Sequence, residues 1–97
     1  MSSADVEGDV LPLAGIRVIE FCQTIMGPSC GLVLADLGAD VIKVEPAPAG
    51  AKTRRLHGFA AGFFPSFNRN KRSVALDLKS ENGRALAHKL IEKADVV

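Results

Sequence analysis

The residues best suited to chemistry lie between positions 46 and 76. This stretch holds Lys52, Arg54, Arg55, Arg69, Lys71 and Arg72, half of the chain's 12 basic residues, and no Asp or Glu. A run of cations without a local acid either attracts an anionic ligand or is a solvated loop whose partners lie elsewhere in the sequence. The most distinctive string overlapping it is FNRNKRSVALDLKSENGRAL, Phe67 to Leu86. Asn side chains can meet amide and base-edge groups, and Lys and Arg can neutralise phosphates. Asn68, Arg69, Asn70, Lys71 and Arg72 are therefore candidate ligand contacts at the junction of a loop and a strand. The alternative, that Asn68 and Arg72 only organise a turn, stands beside it.

Other chemistries fit the sequence less well. A strand, a glycine-containing turn, a helix and a second strand ending in Glu45 make the outline of a dinucleotide-binding unit, with an acid at the ribose spacing. The turn reads FCQTIMGPSCG and lacks G-x-G-x-x-G, and Pro28 removes one helix N-terminal donor, so NAD or FAD binding is not expected. Cys22, Cys30 and His57 have no spacing that marks a nucleophile and base, and no further Cys/His pair suggests a zinc site. The two cysteines read as buried thiols of a cytosolic protein. Asp36, Asp40 and Glu45 read as helix-surface, strand-start and strand-end residues rather than a carboxylate pair, and His88 as solvated. Phe59, Phe63, Phe64 and Phe67 lie among the basic residues, but no nucleic-acid motif accompanies them and the net charge is only +1.

These candidates need elements to position them. GIRVIEF, Gly15 to Phe21, is β-branched and nearly continuously apolar, which suits a strand buried on both faces. GPSCGLVLADLGA follows as a helix, with Pro28 in its first turn, apolar residues around most of its surface, and Gly38 as its stop. It should be a buried helix. Asp40 to Glu45 forms a second buried-type strand. Strand, helix and strand within about thirty residues form a right-handed parallel βαβ unit. Pro46, Pro48 and Gly50 break the pattern, so 46–67 reads as a long loop with a short helix near Phe63. Arg72 to Lys79 is a third strand and Ser80 an N-cap. Gly83, Leu86, Ala87, Leu90, Ile91 and Ala94 then form one helical stripe opposite Arg84, His88, Lys89, Glu92 and Lys93. Asp95 to Val97 opens a fourth strand.

Length and composition set the outer bounds. The chain has 97 residues, 47% apolar and 24% charged, which is globular composition with room for one small domain or part of a larger one. Residues 1–12 read as a disordered polar lead-in; Asp5, Glu7 and Asp9 near the start are unlike an export signal, and no apolar run approaches the ~20 residues of a membrane span. The last residues run into an apolar strand, which favours a truncated chain over a complete domain.

Three strings taken in order resemble one family. GIRVIEFCQTIMGPSCGLVLADLGADVIKVEP, NRNKRSVALDLKSENGRAL and KADVV are similar to the start of a class III CoA transferase over roughly 13–97. The family includes formyl-CoA transferase, carnitine and bile-acid CoA transferases and alpha-methylacyl-CoA racemases. The resemblance implies a partial Rossmann-like parallel sheet, the N-terminal part of a longer chain that forms an interlocked homodimer. It implies a cytoplasmic enzyme that moves coenzyme A from an acyl-CoA donor to a carboxylic acid through an aspartyl mixed anhydride. The family's catalytic Asp lies beyond position 97, so no catalytic residue is expected here. CoA and acyl-CoA are substrates; no permanently bound cofactor, metal, nucleic acid or membrane is implied. Residue by residue, the resemblance assigns Thr24, Ile25, Met26 and Gly27 to the acyl-CoA loop, Glu45 and Pro46 to the nucleotide end, and Asn68, Arg69, Asn70, Lys71 and Arg72 to the adenine and phosphate region. Formyl-CoA transferase has Gln where Ile25 stands, and some members have Arg at Pro46, a role that Arg54 or Arg55 could fill. Within the same family a racemase is the alternative chemistry, and a non-catalytic nucleotide-binding α/β module is the alternative outside it.

Overall fold

The computed structural model describes residues 10–22, 25–48 and 50–97, the side chains of Thr53, Phe59 and Ala60 excepted. Most of the expected lead-in, residues 1–9, lies outside the described residues. Three strands form one parallel sheet in the order β1 (Arg17–Glu20), β2 (Asp40–Pro46) and β3 (Arg72–Leu76). Val18 stands opposite Val41, and Val44 opposite Val74. The expected fourth strand amounts to one parallel bridge, Val96 to Val18, with Val96 accepting the Ile19 amide at 2.9 Å. That bridge places Val96 on the side of β1 away from β2.

Helix α1 (Met26–Asp36) links β1 to β2. It ends because Gly38 takes a φ of +106°, a conformation open to a residue without Cβ. The sequence led us to expect a helix buried nearly all round. Only Pro28, Gly31 and Ala35 are buried, while Met26 is 85% and Val33 57% exposed. The helix packs on the sheet and against residues 63–71, while the side bearing Met26 and Val33 is left open among the described residues. Cys22 and Cys30, expected to be buried thiols, are both exposed, Cys30 on the outer side of α1.

The span 46–67 is more ordered than a plain loop. It contains 3-10 turns at Lys52–Arg55 and Gly58–Gly62 and then α2 (Phe63–Asn68), the short helix expected near Phe63. Strand β3 stops at Leu76, three residues before the expected end. The Asp77 carboxylate accepts the Lys79 amide at 3.0 Å, and the Asp77 carbonyl accepts the Ser80 amide at 3.1 Å, which turns the chain out of the ladder. Helix α3 (Glu81–Glu92) begins where expected, with Ser80 Oγ accepting the Gly83 amide at 2.9 Å. Its buried residues are Gly83 and Ala87; Leu86, expected on the packed stripe, is 49% exposed.

Side chains alternate across the sheet, so each strand supplies both faces. Toward α3, Ile19, Ile42, Val44 and Leu76 pack with Ala87, flanked by Val74, Leu90 and Ala94. Toward α1, Val18, Val41, Ala35 and Ala39 make a smaller cluster with Leu13, Ile16 and Leu34. On that same face the next residues along the strands, Glu20, Lys43 and Glu45, are charged and buried.

Candidate functional site

A cleft of about 370 Å³ opens at the carboxyl ends of the strands. The end of β2 supplies Glu45, Pro46 and Ala47; β3 and its turn supply Leu76, Asp77, Leu78 and Lys79, and Phe21 follows β1. This is the edge of a parallel sheet at which ligands bind in α/β folds. The wall from β3 is tightly tied. Arg84 Nη1 donates to the carbonyls of Leu78 and Lys79 at 3.2 and 3.1 Å. A Cβ at Gly83 would lie 1.8 Å from the Asp77 carbonyl oxygen, so the helix closes on the turn only with glycine there.

Glu45 anchors the opposite wall. Its side chain is 1% exposed, and Arg54 Nε and Nη2 donate to its two oxygens at 2.6 Å each. The Ala51 amide donates at 2.7 Å, and Ser73 Oγ donates to the second oxygen. The Arg54 hydrogen bonds lower the Glu45 pKa to about 2; burial opposes them, and Ala51 and Ser73 assist. Arg54 in turn lies 4.0 Å over the Phe64 ring. The chain after β2 is thus pinned to the sheet by one ionised carboxylate, and Arg54 is drawn inward.

A second charged group lies deeper, under α1. Lys43 Nζ is 3.0 Å from Glu20 Oε2 and donates to the Cys22 carbonyl at 2.7 Å. Lys71 Nζ donates to the Pro28 carbonyl and to Asn68 Oδ1, both at 2.9 Å. It also forms an ion pair with Glu20 Oε1 at 2.7 Å. Burial pushes the Lys71 pKa down, and Glu20 partly restores it.

At the amino end of the sheet the remaining cations meet acids. Arg72 Nη2 is 2.6 Å and Arg17 Nε 3.3 Å from Asp40 Oδ2, while Arg69 and Asn70 donate to Asp36 at 3.0 and 2.8 Å. Four of the six cations in the basic stretch therefore have acidic partners brought from elsewhere in the chain: Arg54 with Glu45, Arg69 with Asp36, Lys71 with Glu20 and Arg72 with Asp40. Of the residues expected to contact ligand, Glu45 and Pro46 line the cleft. Ile25 and Met26 lie at the start of α1, Ile25 38% exposed, and Thr24 lies outside the described residues. Asn68, Arg69, Asn70, Lys71 and Arg72 do not line the cleft; Asn68 is buried, and its amide donates to the Phe64 carbonyl at 3.0 Å. Sequence reasoning passed over Asp77, Leu78 and Lys79, because it ran β3 on to Lys79. The position just past the carboxyl end of a parallel strand is the signal that could have found them.

The model of CoA-transferase family III matches residues 13–97. The chain belongs to that family. It is 44% identical over 96 residues to the succinate–glutarate CoA-transferase of Agrobacterium fabrum, covering 89% of this chain and 24% of that protein. It is 42% identical to the succinyl-CoA:mesaconate CoA-transferase of Haloarcula hispanica, covering 88% and 23%, and 41% identical to a formyl-CoA:oxalate CoA-transferase of Escherichia coli, covering 89% and 22%. Among solved structures, Rv3272 of Mycobacterium tuberculosis superposes with a TM-score of 0.84 at 43% identity over 90% of this chain and 24% of that one. A CAIB/BAIF family protein of Brucella suis gives 0.78 at 41% identity over 88% and 25%. The chain spans about a quarter of the length of the relatives it matches.

In this family III chain the cleft offers an apolar floor, Val44 and Leu76, beside one exposed ammonium group, Lys79. That combination can take a flat apolar group with an anion at its edge. Among the described residues no group of three His, Cys, Asp or Glu is placed to hold a metal ion, and no helix is long and apolar enough to cross a membrane.

Proposed function

We propose that residues 13–97 are the N-terminal part of an enzyme that transfers coenzyme A from an acyl-CoA donor to a carboxylic acid. The single observation that carries this reading is the carboxyl-edge cleft in a family III sheet, with Lys79 at its rim and Glu45 fixing its β2 wall. The cleft would take the nucleotide end of CoA, with Pro46 and Leu78 against the base and Lys79 toward a phosphate. The start of α1, at Ile25 and Met26, would meet the acyl end. Arg69, Lys71 and Arg72 are engaged by acids within the chain and lie outside the cleft, so their part would be structural: Lys71 under the start of α1, and Arg69 and Arg72 at the amino end of the sheet. The chemistry would follow the aspartyl anhydride route, its Asp outside this chain, in a cytoplasmic homodimer. The Agrobacterium, Haloarcula and Escherichia relatives described above are named as CoA-transferases, which favours transfer over racemisation.

The test is calorimetric titration of the chain with CoA at low and moderate salt. Binding should weaken as salt rises, and Lys79→Ala should weaken it by about fivefold, the equivalent of roughly 1 kcal/mol for one lost phosphate contact. No binding at millimolar CoA would overturn the reading for this chain and leave its family membership untouched.

A further inference from the structure

Two backbone carbonyls, Cys22 just after β1 and Pro28 in the first turn of α1, are each gripped by a buried ammonium group. Lys43 Nζ donates to the Cys22 carbonyl at 2.7 Å, and Lys71 Nζ to the Pro28 carbonyl at 2.9 Å. One carboxylate, Glu20, serves both lysines, at 3.0 and 2.7 Å. The three side chains are 1–4% exposed. A surface lysine can exchange a carbonyl for water, but a buried one leaves donors unmet when it lets go. The helix backbone closes over the group as well. A Cβ at Gly31 would lie 2.1 Å from Glu20 Oε1 and 3.2 Å from Lys71 Nζ, so the first two turns of α1 and the charged group fit only against each other. Ile25 and Met26 lie between the two gripped carbonyls.

We propose that Lys43 and Lys71 are positioning residues that fix the Cys22 carbonyl and the first turn of α1, and through that turn Ile25 and Met26, where the acyl end of an acyl-CoA is met. This rests on the reading above that the start of α1 contributes to an acyl-CoA site. The acceptors are what distinguish this from ordinary core stability. Apolar side chains could fill the same space, but they would leave both carbonyls ungripped and that turn free to shift. Two ammonium groups and one carboxylate also make an unbalanced set. Removing either lysine leaves a balanced Lys–Glu pair, so the fold should survive either single loss while one of the two carbonyls is released.

The experiment compares the chain with Lys71→Met and Lys43→Met by amide hydrogen exchange and by ligand titration. In Lys71→Met, the amides of Ser29, Cys30 and Gly31 should exchange roughly tenfold faster while those of α3 stay within about twofold. Acetyl-CoA should bind about fivefold more weakly, and adenosine 3′,5′-bisphosphate, which lacks the arm and acyl group, should be unchanged. Equal acceleration in α1 and α3, no acceleration, or equal weakening of both ligands would overturn the proposal. If Lys71→Met does not fold, Lys43→Met, which frees the Cys22 carbonyl, carries the same expectation. Failure of both to fold would mark the group as purely structural and end the proposal. If the parent chain binds no acetyl-CoA, the reading of the site fails by itself, and the exchange comparison still decides whether the lysines hold the first turn of α1.

Discussion

Toward α3 the sheet presents Ile19, Ile42, Val44 and Leu76, an apolar set closed by Ala87 and Leu90. Toward α1 and α2 the same strands present Glu20, Lys43 and Glu45, each no more than 6% exposed, with Lys71 and Arg54 brought in from the connecting segments. The first face is held by area removed from water, which is indifferent to direction. The second shares a small apolar cluster around Val18 and Val41 but is otherwise held by distances and angles among charges that are costly to bury and costly to separate. Both faces anchor helices, but only the charged one fixes individual carbonyls and amides at their positions. The cleft wall at Glu45 and the gripped carbonyls of Cys22 and Pro28 both belong to the charged face.

The sharpest way to break this contrast is Glu20→Ala. It strands two buried ammonium groups at once and should cost about 3–5 kcal/mol of unfolding free energy, read from the shift of the urea midpoint. A loss no larger than that of an apolar truncation would mean the charged face is wet and weak. The next test is acid. Glu45 has a pKa near 2 in the folded chain against 4.5 for a free Glu, so its contribution is complete above about pH 5 and is lost as pH falls through 2. The depression corresponds to about 3 kcal/mol, and Glu45→Gln should flatten the part of the stability–pH curve in that window by this amount. Parallel curves for the two proteins would show that Arg54 does not hold Glu45 in solution. The smallest effect belongs to the apolar face. Ile42→Val removes one carbon from a residue 8% exposed and should cost about 1 kcal/mol, with no change in pH dependence. A pH-dependent penalty there would show that the two faces are not independent.

Much of the frame was legible because it is local. The β-branched run of β2, the Ser80 cap and the helical stripe of α3 each involve residues within a few positions of one another, and the structure places them within a residue or two of expectation. The charged face was not legible, because its partners are remote. Lys43 meets Glu20 across 23 positions and Lys71 meets Pro28 across 43. A lysine in an apolar strand gives no local sign of the carboxylate on the neighbouring strand. The same distance hid the acids that neutralise the basic stretch, since Asp36 lies 33 positions before Arg69 and Asp40 lies 32 before Arg72. Burial of α1 was overestimated from composition alone: apolar residues such as Val33 surround the helix, but the described chain covers only one side of it. At the site, Glu45 and Pro46 could be read as a strand end, whereas Lys79 was concealed within an overlong strand.

The turn between β3 and α3 has a consequence for any molecule that enters the cleft. Asp77 holds the Lys79 amide, Arg84 holds two carbonyls, and Ser80 caps the helix that follows. Ordering a free backbone residue costs about 1–2 kcal/mol, and here that cost is met when the chain folds, not when a ligand arrives. Association at this wall is therefore closer to docking against a finished surface than to shaping one. What limits affinity is the ligand's own freedom, so a stiff, compact end group gains the most from this wall and a long flexible arm has to be ordered by something else.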